Sequence, residues 1–373
     1  MPVALAPLPS RLADVVSLTA SHRMYDSDHE QATRAEAARR IAVLRGVTFR
    51  GEYDRNRPHA APLYLVPSDT LTADVAQDMG LRGASDLFGG VVPWSFVGTK
   101  VITHPLVDAA AVAPIGWTHA FPEHVVDAVL RGFSVFSHDD ARRAGALLLA
   151  AGPVRMKPAC ATGGRGQTVV QDVTSLNRCL EEVDAAELAE HGLVLEENLA
   201  EPVMTLSVGQ VTVGDLRASY HGVQSTTRNN HGNVVYGGSD LTLVQGGFDA
   251  LLAEPDLAPH VRLGIAQARR YHEAAIDCFP GFFASRINYD VAQGRSPSGA
   301  ARSGVLEQSW RLGGATGAEI AGLERFRERS DCHRVQASCF EVYGTQEVPA
   351  DATVYYRGVD RQAGPLVKYT VVG

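Results

Sequence analysis

The sequence predicts an α/β protein built from several packed lobes. Three observations predict it. Strand-length segments rich in Val, Leu and Ile alternate with amphipathic, helix-length segments. At 373 residues the chain is too long for one ordinary core and calls for two or three. Its 45% apolar and 20% charged content is that of a folded globular chain, which excludes a disordered one.

The elements follow in order. Residues 13–19 read as a first strand. Residues 30–46 read as a helix with Ala37, Ile41 and Leu44 on one face and Gly46 as its stop. LYLVPSDTL carries a second strand and a turn, and LTADVAQDMGL fits a short helix. Residues 1–97 therefore read as a βαβ-type lobe. Ser137 then caps a helix that has Asp139 and Asp140 in its first turn. PVRMKPACATGGRGQTVV (153–170) reads as strand, glycine loop, strand. A helix headed by Ser175 runs to about Leu188, and a buried strand over 192–199 ends in two acids. Strand-like pieces fill 204–245. Pro259 opens a helix over 260–277. Two strands, 283–292 and 303–312, flank a Gly, Ser and Pro-rich connection that reads as a mobile hairpin, and the last fifty residues mix a helix with short strands.

Charge and composition exclude several functions. The net charge of −8 gives no general attraction to nucleic acid or anionic lipid. No apolar run approaches the roughly 18 residues that a bilayer requires, and the proline-containing N-terminus lacks an apolar targeting segment. The five scattered cysteines contain no CxxC pair, so a reduced, cytoplasmic protein is expected. Cys332, His333 and Cys339 lie close together but lack zinc spacing.

Two segments carry chemistry. Lys157-Pro158 precedes Gly163, Gly164 and Gly166. Glycines at that density let backbone N–H groups close around phosphate oxygens, with the lysine neutralising charge. A strand follows the loop, so it is neither a Walker A loop nor a dinucleotide fingerprint, and a plain tight hairpin is the alternative. Further on, Arg286, Asn288 and Asp290 alternate with apolar residues and share one strand face. Glu307, Ser309 and Arg311 share a face of the next. If the two strands pair, oxygens from both converge beside two guanidinium groups. Hard oxygens in that pattern suit magnesium, and an exposed sheet face with surface ion pairs is the alternative.

Taken together and in order, these segments resemble the ATP-grasp superfamily over roughly 98–320. More narrowly they resemble an uncharacterised bacterial family within it. The resemblance implies an ATP-grasp fold with an N-terminal pre-ATP-grasp lobe over 1–97. It implies a core over 98–320 whose small glycine-flap lobe spans about 135–200, and a C-terminal extension over 321–373 packed on that core. It also implies ATP and magnesium as cofactors. Lys100 and Lys157 would contact the nucleotide, with Gly163, Gly164 and Gly166 as the flap. Glu196, Glu197 and Leu199 would form the adenine-reading hinge, with Glu201 a poorer candidate for the ribose. Glu307 would bridge metal, Arg311 would lie near phosphate or the acceptor carboxylate, and Arg286 would stabilise the phosphoryl group.

Two departures from the superfamily pattern stand out. Asn288 occupies the position of an acid, which Asp290 could replace, and Ser309 that of an asparagine, so one firm ion is expected rather than two. The implied reaction is activation of a carboxylate as acyl phosphate for attack by an amine or similar nucleophile. The partners are then small molecules, with no nucleic acid and no membrane, and a homodimer is left open. The alternatives are a small-molecule kinase on the same fold or a non-catalytic ATP-binding protein. Arg228, His231 and Tyr236, in a polar glycine-rich stretch, are candidates for specificity.

Overall fold

The structure, a computed structural model, describes residues 13–20, 27–57, 62–161 and 166–373. The first unit is β1 (Asp14–Leu18), α1 (Asp28–Arg45), β2 (Phe49–Glu52) and β3 (Leu63–Pro67), which form a three-stranded parallel sheet in the order β2-β1-β3. The predicted first helix starts two residues earlier than expected. Ser27 caps it by accepting from Glu30 N–H, and Gly46 ends it at φ 67°, a left-handed turn that glycine adopts without strain. β4 (Leu71–Thr72) and α2 (Ala73–Asp78) divide the segment expected as one helix, and β5 (Gly90–Val92) pairs with β4.

The second unit contains α3 (Ala120–Val125), β6 (Gly132–Val135), α4 (His138–Leu149), β7 (Val154–Pro158), β8 (Thr168–Val170), α5 (Val173–Glu181), α6 (Ala185–His191) and β9 (Leu193–Glu197). Its four strands make an antiparallel sheet in the order β6-β9-β7-β8. Ala141, Ala144 and Leu148 of α4 and Leu176 and Leu180 of α5 cover it with a separate apolar core. Ser137 caps α4 as predicted. The helix expected to start at Ser175 is instead capped by Asp172, with Ser175 closing a capping box. It stops after Glu181, and Asp184 caps a second helix.

The strand-like pieces of 204–245 are three long strands, β10 (Ala200–Val213), β11 (Leu216–Arg228) and β12 (Val234–Gln245). Then come α7 (Phe248–Leu252), α8 (Pro259–Cys278, with Pro259 in its first turn) and β13 (Phe283–Ala284). The chain closes with β14 (Arg286–Arg295), β15 (Ala301–Ser309), α9 (Thr316–Glu328), β16 (Arg334–Tyr343), β17 (Thr353–Asp360) and β18 (Gly364–Val372). Eight of these strands form one antiparallel sheet in the order β15-β14-β10-β11-β12-β16-β18-β17. The last fifty residues thus continue the main sheet with strands of eight to ten residues, longer than the sequence suggested.

The period of two along each strand sorts residues to the two faces of this sheet. Val208, Ile287, Tyr289 and Val291 pack with Ile265, Ala268 and Tyr271 of α8. Val211, Tyr220, Leu243 and Ala337 pack with Ile320 and Leu323 of α9 and Ile41 of α1. β15 is an edge strand. The 128–130 segment covers part of it, with Val305 N–H donating to Ala128 O at 2.8 Å, and this blunts the exposed edge. No helix among the described residues is long and apolar enough to cross a membrane.

Candidate active site

The two strands expected to pair do so. Asn288 lies opposite Ser309, and Asp290 lies opposite Glu307. Two carboxylates are therefore opposed on one face of adjacent antiparallel strands, where side chains stand close enough to share a ligand. Burial, followed by repulsion from Glu307, pushes the Asp290 carboxyl up to about 7. Gln224 and Asn288 oppose that shift by donating to Asp290 Oδ1 at 2.7 and 2.9 Å. Lys100 brings positive charge: its Nζ is 2.8 Å from Glu307 Oε2, and it also donates to Ala161 O.

A second buried charge cluster lies in the four-stranded lobe. Lys157 on β7 and Glu196 on β9 face one another because β7 and β9 are hydrogen-bonded neighbours, and Lys157 Nζ is 2.7 Å from Glu196 Oε1. His104 Nε2 approaches Glu196 Oε2 at 3.3 Å. Burial alone would raise the Glu196 carboxyl, but Lys157 and His104 outweigh it and hold it at about 2. Burial in turn lowers the His104 imidazole.

The other predicted residues fall as follows. Gly163 and Gly164 lie outside the described residues. Gly166 has φ 68° and sits against Pro158. Glu197, partly exposed at the end of β9, accepts from Arg131 N–H at 3.1 Å and pairs with Arg302 at 3.2 Å. Leu199 is buried in a small apolar cluster with Leu130 and Ala292. Glu201 Oε2 accepts from Val203 N–H at 3.1 Å. Arg311 reaches Asp69 of the N-terminal unit at 3.5 Å.

Arg286 differs most from its expected setting. It is only 1% exposed, and its Nη2 and Nε contact the Glu319 carboxylate of α9 at 2.7 and 3.0 Å. Its Nη1 donates to Ser309 O and Arg311 O. The guanidinium is thus held inside the protein by Glu319 of α9. Asn288 and Ser309 are also engaged: the Tyr220 hydroxyl contacts Asn288 Oδ1 at 3.0 Å, and Arg286 Nη1 donates to Ser309 Oγ at 3.2 Å. Among the described residues no group of three or more His, Cys, Asp or Glu side chains could hold a metal ion. This applies to Cys332, His333 and Cys339 as well, since the Cys339 thiol donates to Gly314 O at 3.0 Å and the Cys332 thiol to Arg334 O at 3.3 Å.

Of the specificity candidates, Arg228 and His231 sit at the β11–β12 hairpin tip. Arg228 donates to Gly232 O, and His231 Nε2 contacts Gln362 O. Tyr236 packs its ring against Gly314, just after Arg311. Glu319, His104, Gln308 and Gln224 went unnoticed in the sequence. Only Gln308 left a signal there, a polar residue between Leu306 and Trp310 on the face that should be apolar.

These parts define the class of protein: a small antiparallel sheet carries the buried lysine, and a large antiparallel sheet carries the paired acids. A βαβ-type lobe precedes both, so the chain is the mixed α/β protein of several packed lobes that the sequence predicted. The chain belongs to the family described as "Protein of unknown function (DUF3182)", whose model matches residues 17–370. No curated protein matches it. Among solved structures it is similar to phosphoribosylamine–glycine ligase from Thermotoga maritima, at 14% identity over 96% of this chain and 92% of that one, with a TM-score of 0.49. It is similar to an ADP complex of N5-carboxyaminoimidazole ribonucleotide synthetase at 10% identity, over 97% and 93% of the two chains, with a TM-score of 0.47. It is also similar to D-alanyl-alanine synthetase A from Vibrio cholerae at 11% identity, over 83% and 94%, with a TM-score of 0.47.

Proposed function

We propose that the chain is an ATP- and magnesium-dependent ligase that activates a carboxylate as acyl phosphate for attack by an amine or similar nucleophile. The observation that carries this reading is the opposition of Asp290 and Glu307 in strand register, with Lys100 2.8 Å from Glu307. Two like charges held together in a partly buried site are costly unless a cation joins them.

The donor set fits magnesium. That ion is bound through one or two carboxylates and fills its octahedral shell with substrate phosphates and water. Asp290 and Glu307 would hold it. Asn288 and Ser309 already have internal hydrogen-bond partners, which favours one ion over two. When bound, magnesium neutralises charge on the phosphate oxygens.

The chain's own groups then have distinct roles in this reading. Lys100 and Lys157 contribute fixed positive charge to the phosphates. Glu196, kept ionised by Lys157 and buried against His104, holds Lys157 in place beside the β9 hinge that would read the adenine edge. The substrate carboxylate oxygen attacks the γ-phosphorus as the bond to ADP breaks. The nucleophile then attacks the acyl carbon, and inorganic phosphate leaves.

A second reading, nucleotide binding without turnover, is favoured by the enclosure of Arg286 behind Glu319. One experiment separates the two: ADP and phosphate release across a panel of carboxylates and amines, with and without magnesium, for wild type and Glu307→Gln. The ligase reading expects magnesium-dependent release that the variant loses while still binding ATP. Equal activity in the variant removes Glu307 from the chemistry, and ATP binding with no turnover across the panel supports the second reading.

A further inference from the structure

Lys100 lies outside every α-helix and strand of the described residues. It opens a single 3-10 turn, Lys100–Thr103, lying along the edge strand β15. A lone turn of this kind has little intrinsic stability and must be fixed by its surroundings.

Gln308 fixes it. Its side chain is 6% exposed and points away from Glu307, into the face that packs on α8. Its Nε2 donates to Val97 O at 3.0 Å and to Thr99 O at 2.7 Å, the second being the carbonyl immediately before Lys100. Its Oε1 accepts from the Tyr271 hydroxyl at 2.9 Å. With that phenol proton committed, Tyr271 accepts from Thr103 Oγ1, also at 2.9 Å, at the other end of the turn. The turn is therefore gripped before its first residue and at its last.

Gln308, Tyr271, Thr103 and Val97 are shielded from water, where a broken hydrogen bond leaves a buried donor or acceptor unpaired. An apolar residue at 308 would leave the Val97 and Thr99 carbonyls and the Tyr271 hydroxyl without these partners, and the amide also has a reason at the site. The reason lies in its neighbour. Gln308 and Glu307 are adjacent on one strand, so whatever fixes the turn to Gln308 also fixes the distance from Lys100 to Glu307.

We propose that Gln308, backed by Tyr271, is a positioning residue that sets Lys100 against the Asp290–Glu307 pair before nucleotide arrives. The role of Lys100 towards phosphate rests on the ligase reading, whereas the clamp itself can be tested without nucleotide.

The test compares wild type with Gln308→Met, which keeps the volume and removes both donors and the acceptor. In the nucleotide-free protein, lysines are acylated with an amine-reactive ester and quantified by mass spectrometry. Lys100, shielded in the wild type, is expected to react about ten-fold faster in the variant, as a lost buried hydrogen-bond set allows. Lys157, equally buried in the other lobe, keeps its wild-type rate. In turnover assays the KM for ATP rises by about ten-fold while kcat changes far less, because a ground-state position is lost. Tyr271→Phe removes one hydroxyl from the same clamp at nearly constant volume and shifts Lys100 in the same direction; it decides the matter if Gln308→Met does not fold. Unchanged Lys100 labelling in a folded variant overturns the proposal, as does equal acceleration at Lys157, which signals general loosening. A wild-type chain that neither binds nor turns over ATP would count against the ligase reading, while the labelling would still judge the clamp.

Discussion

Asp290 and Glu307 face each other directly across β14 and β15, and the same register sets Asn288 against Ser309. Like charges opposed on adjacent strands destabilise a sheet, so the acids weaken the fold at the place where the reaction would need them. Asp290→Asn is therefore expected to raise the urea midpoint of the nucleotide-free protein while abolishing magnesium-dependent ATP turnover. Urea titrations with and without magnesium check this. A variant less stable than wild type would mean that Lys100, 2.8 Å from Glu307, already outweighs their repulsion, or that the two carboxylates share a proton.

The Arg286–Glu319 pair is expected to behave in the opposite way. Both side chains are essentially inaccessible to water, at 1% and 0% exposure, and the contact is bidentate. Removing one partner of such a pair leaves a buried charge, at a cost of about 3–5 kcal/mol, whereas apolar replacement of both is far milder. Glu319→Gln should thus be severely destabilised in urea, and the double variant Arg286→Met with Glu319→Leu should recover most of the loss. If the recovered variant also retains turnover, Arg286 is a structural residue only. If it folds but is inactive, the arginine has a part in the chemistry that this closed arrangement conceals.

Lys157 and Glu196 form a third buried pair, but one that the ligase reading places beside the nucleotide. Lys157→Met leaves Glu196 with only His104, whose imidazole burial keeps largely neutral, so the acid loses its strongest counter-charge. The expected result is a drop of about 3 kcal/mol in stability together with weaker ATP binding. Adding Glu196→Gln should restore stability without restoring affinity. Calorimetric ATP titration and chemical denaturation of the same three proteins separate the two effects, and unchanged ATP affinity in Lys157→Met would take the lysine out of the site.

How much of this was legible depended on how local each signal was. The helix that ends at Gly46, the cap at Ser137 and the alternation of Arg286, Asn288 and Asp290 are short-range patterns, and all three are found as read. Glu319, by contrast, lies in an unremarkable helical stretch, 33 residues from the arginine it holds, and no spacing rule links them. His104 is 92 residues from Glu196, and Gln308 is 211 from Val97. Contacts of this kind are made by sheet order, and the order β15-β14-β10 is a property of the folded chain. The length of the last three strands was obscure for a related reason: β17 and β18 mix polar and apolar residues because α1 and α9 cover only part of them.

His272 gives a pH test of the core behind β14 and β15. The Trp310 indole donates to the Tyr289 hydroxyl at 3.1 Å, leaving the phenol proton for His272 Nδ1 at 2.9 Å. Burial then lowers the imidazole to about 4 from its usual 6.5, so it stays neutral in the fold. Below pH 6.5 the unfolded chain takes up a proton at this residue that the native chain refuses, and stability must fall as pH drops from 6.5 towards 4. Between pH 7.5 and pH 5 that amounts to about 2 kcal/mol from this residue alone. His272→Asn keeps an acceptor near the Nδ1 position but cannot titrate. Its urea midpoint should therefore be lower than wild type at pH 7.5, from lost packing, and decline less on acidification. Parallel slopes for the two proteins would mean that His272 carries its proton in the native state, and that Tyr289 cannot be donating to it.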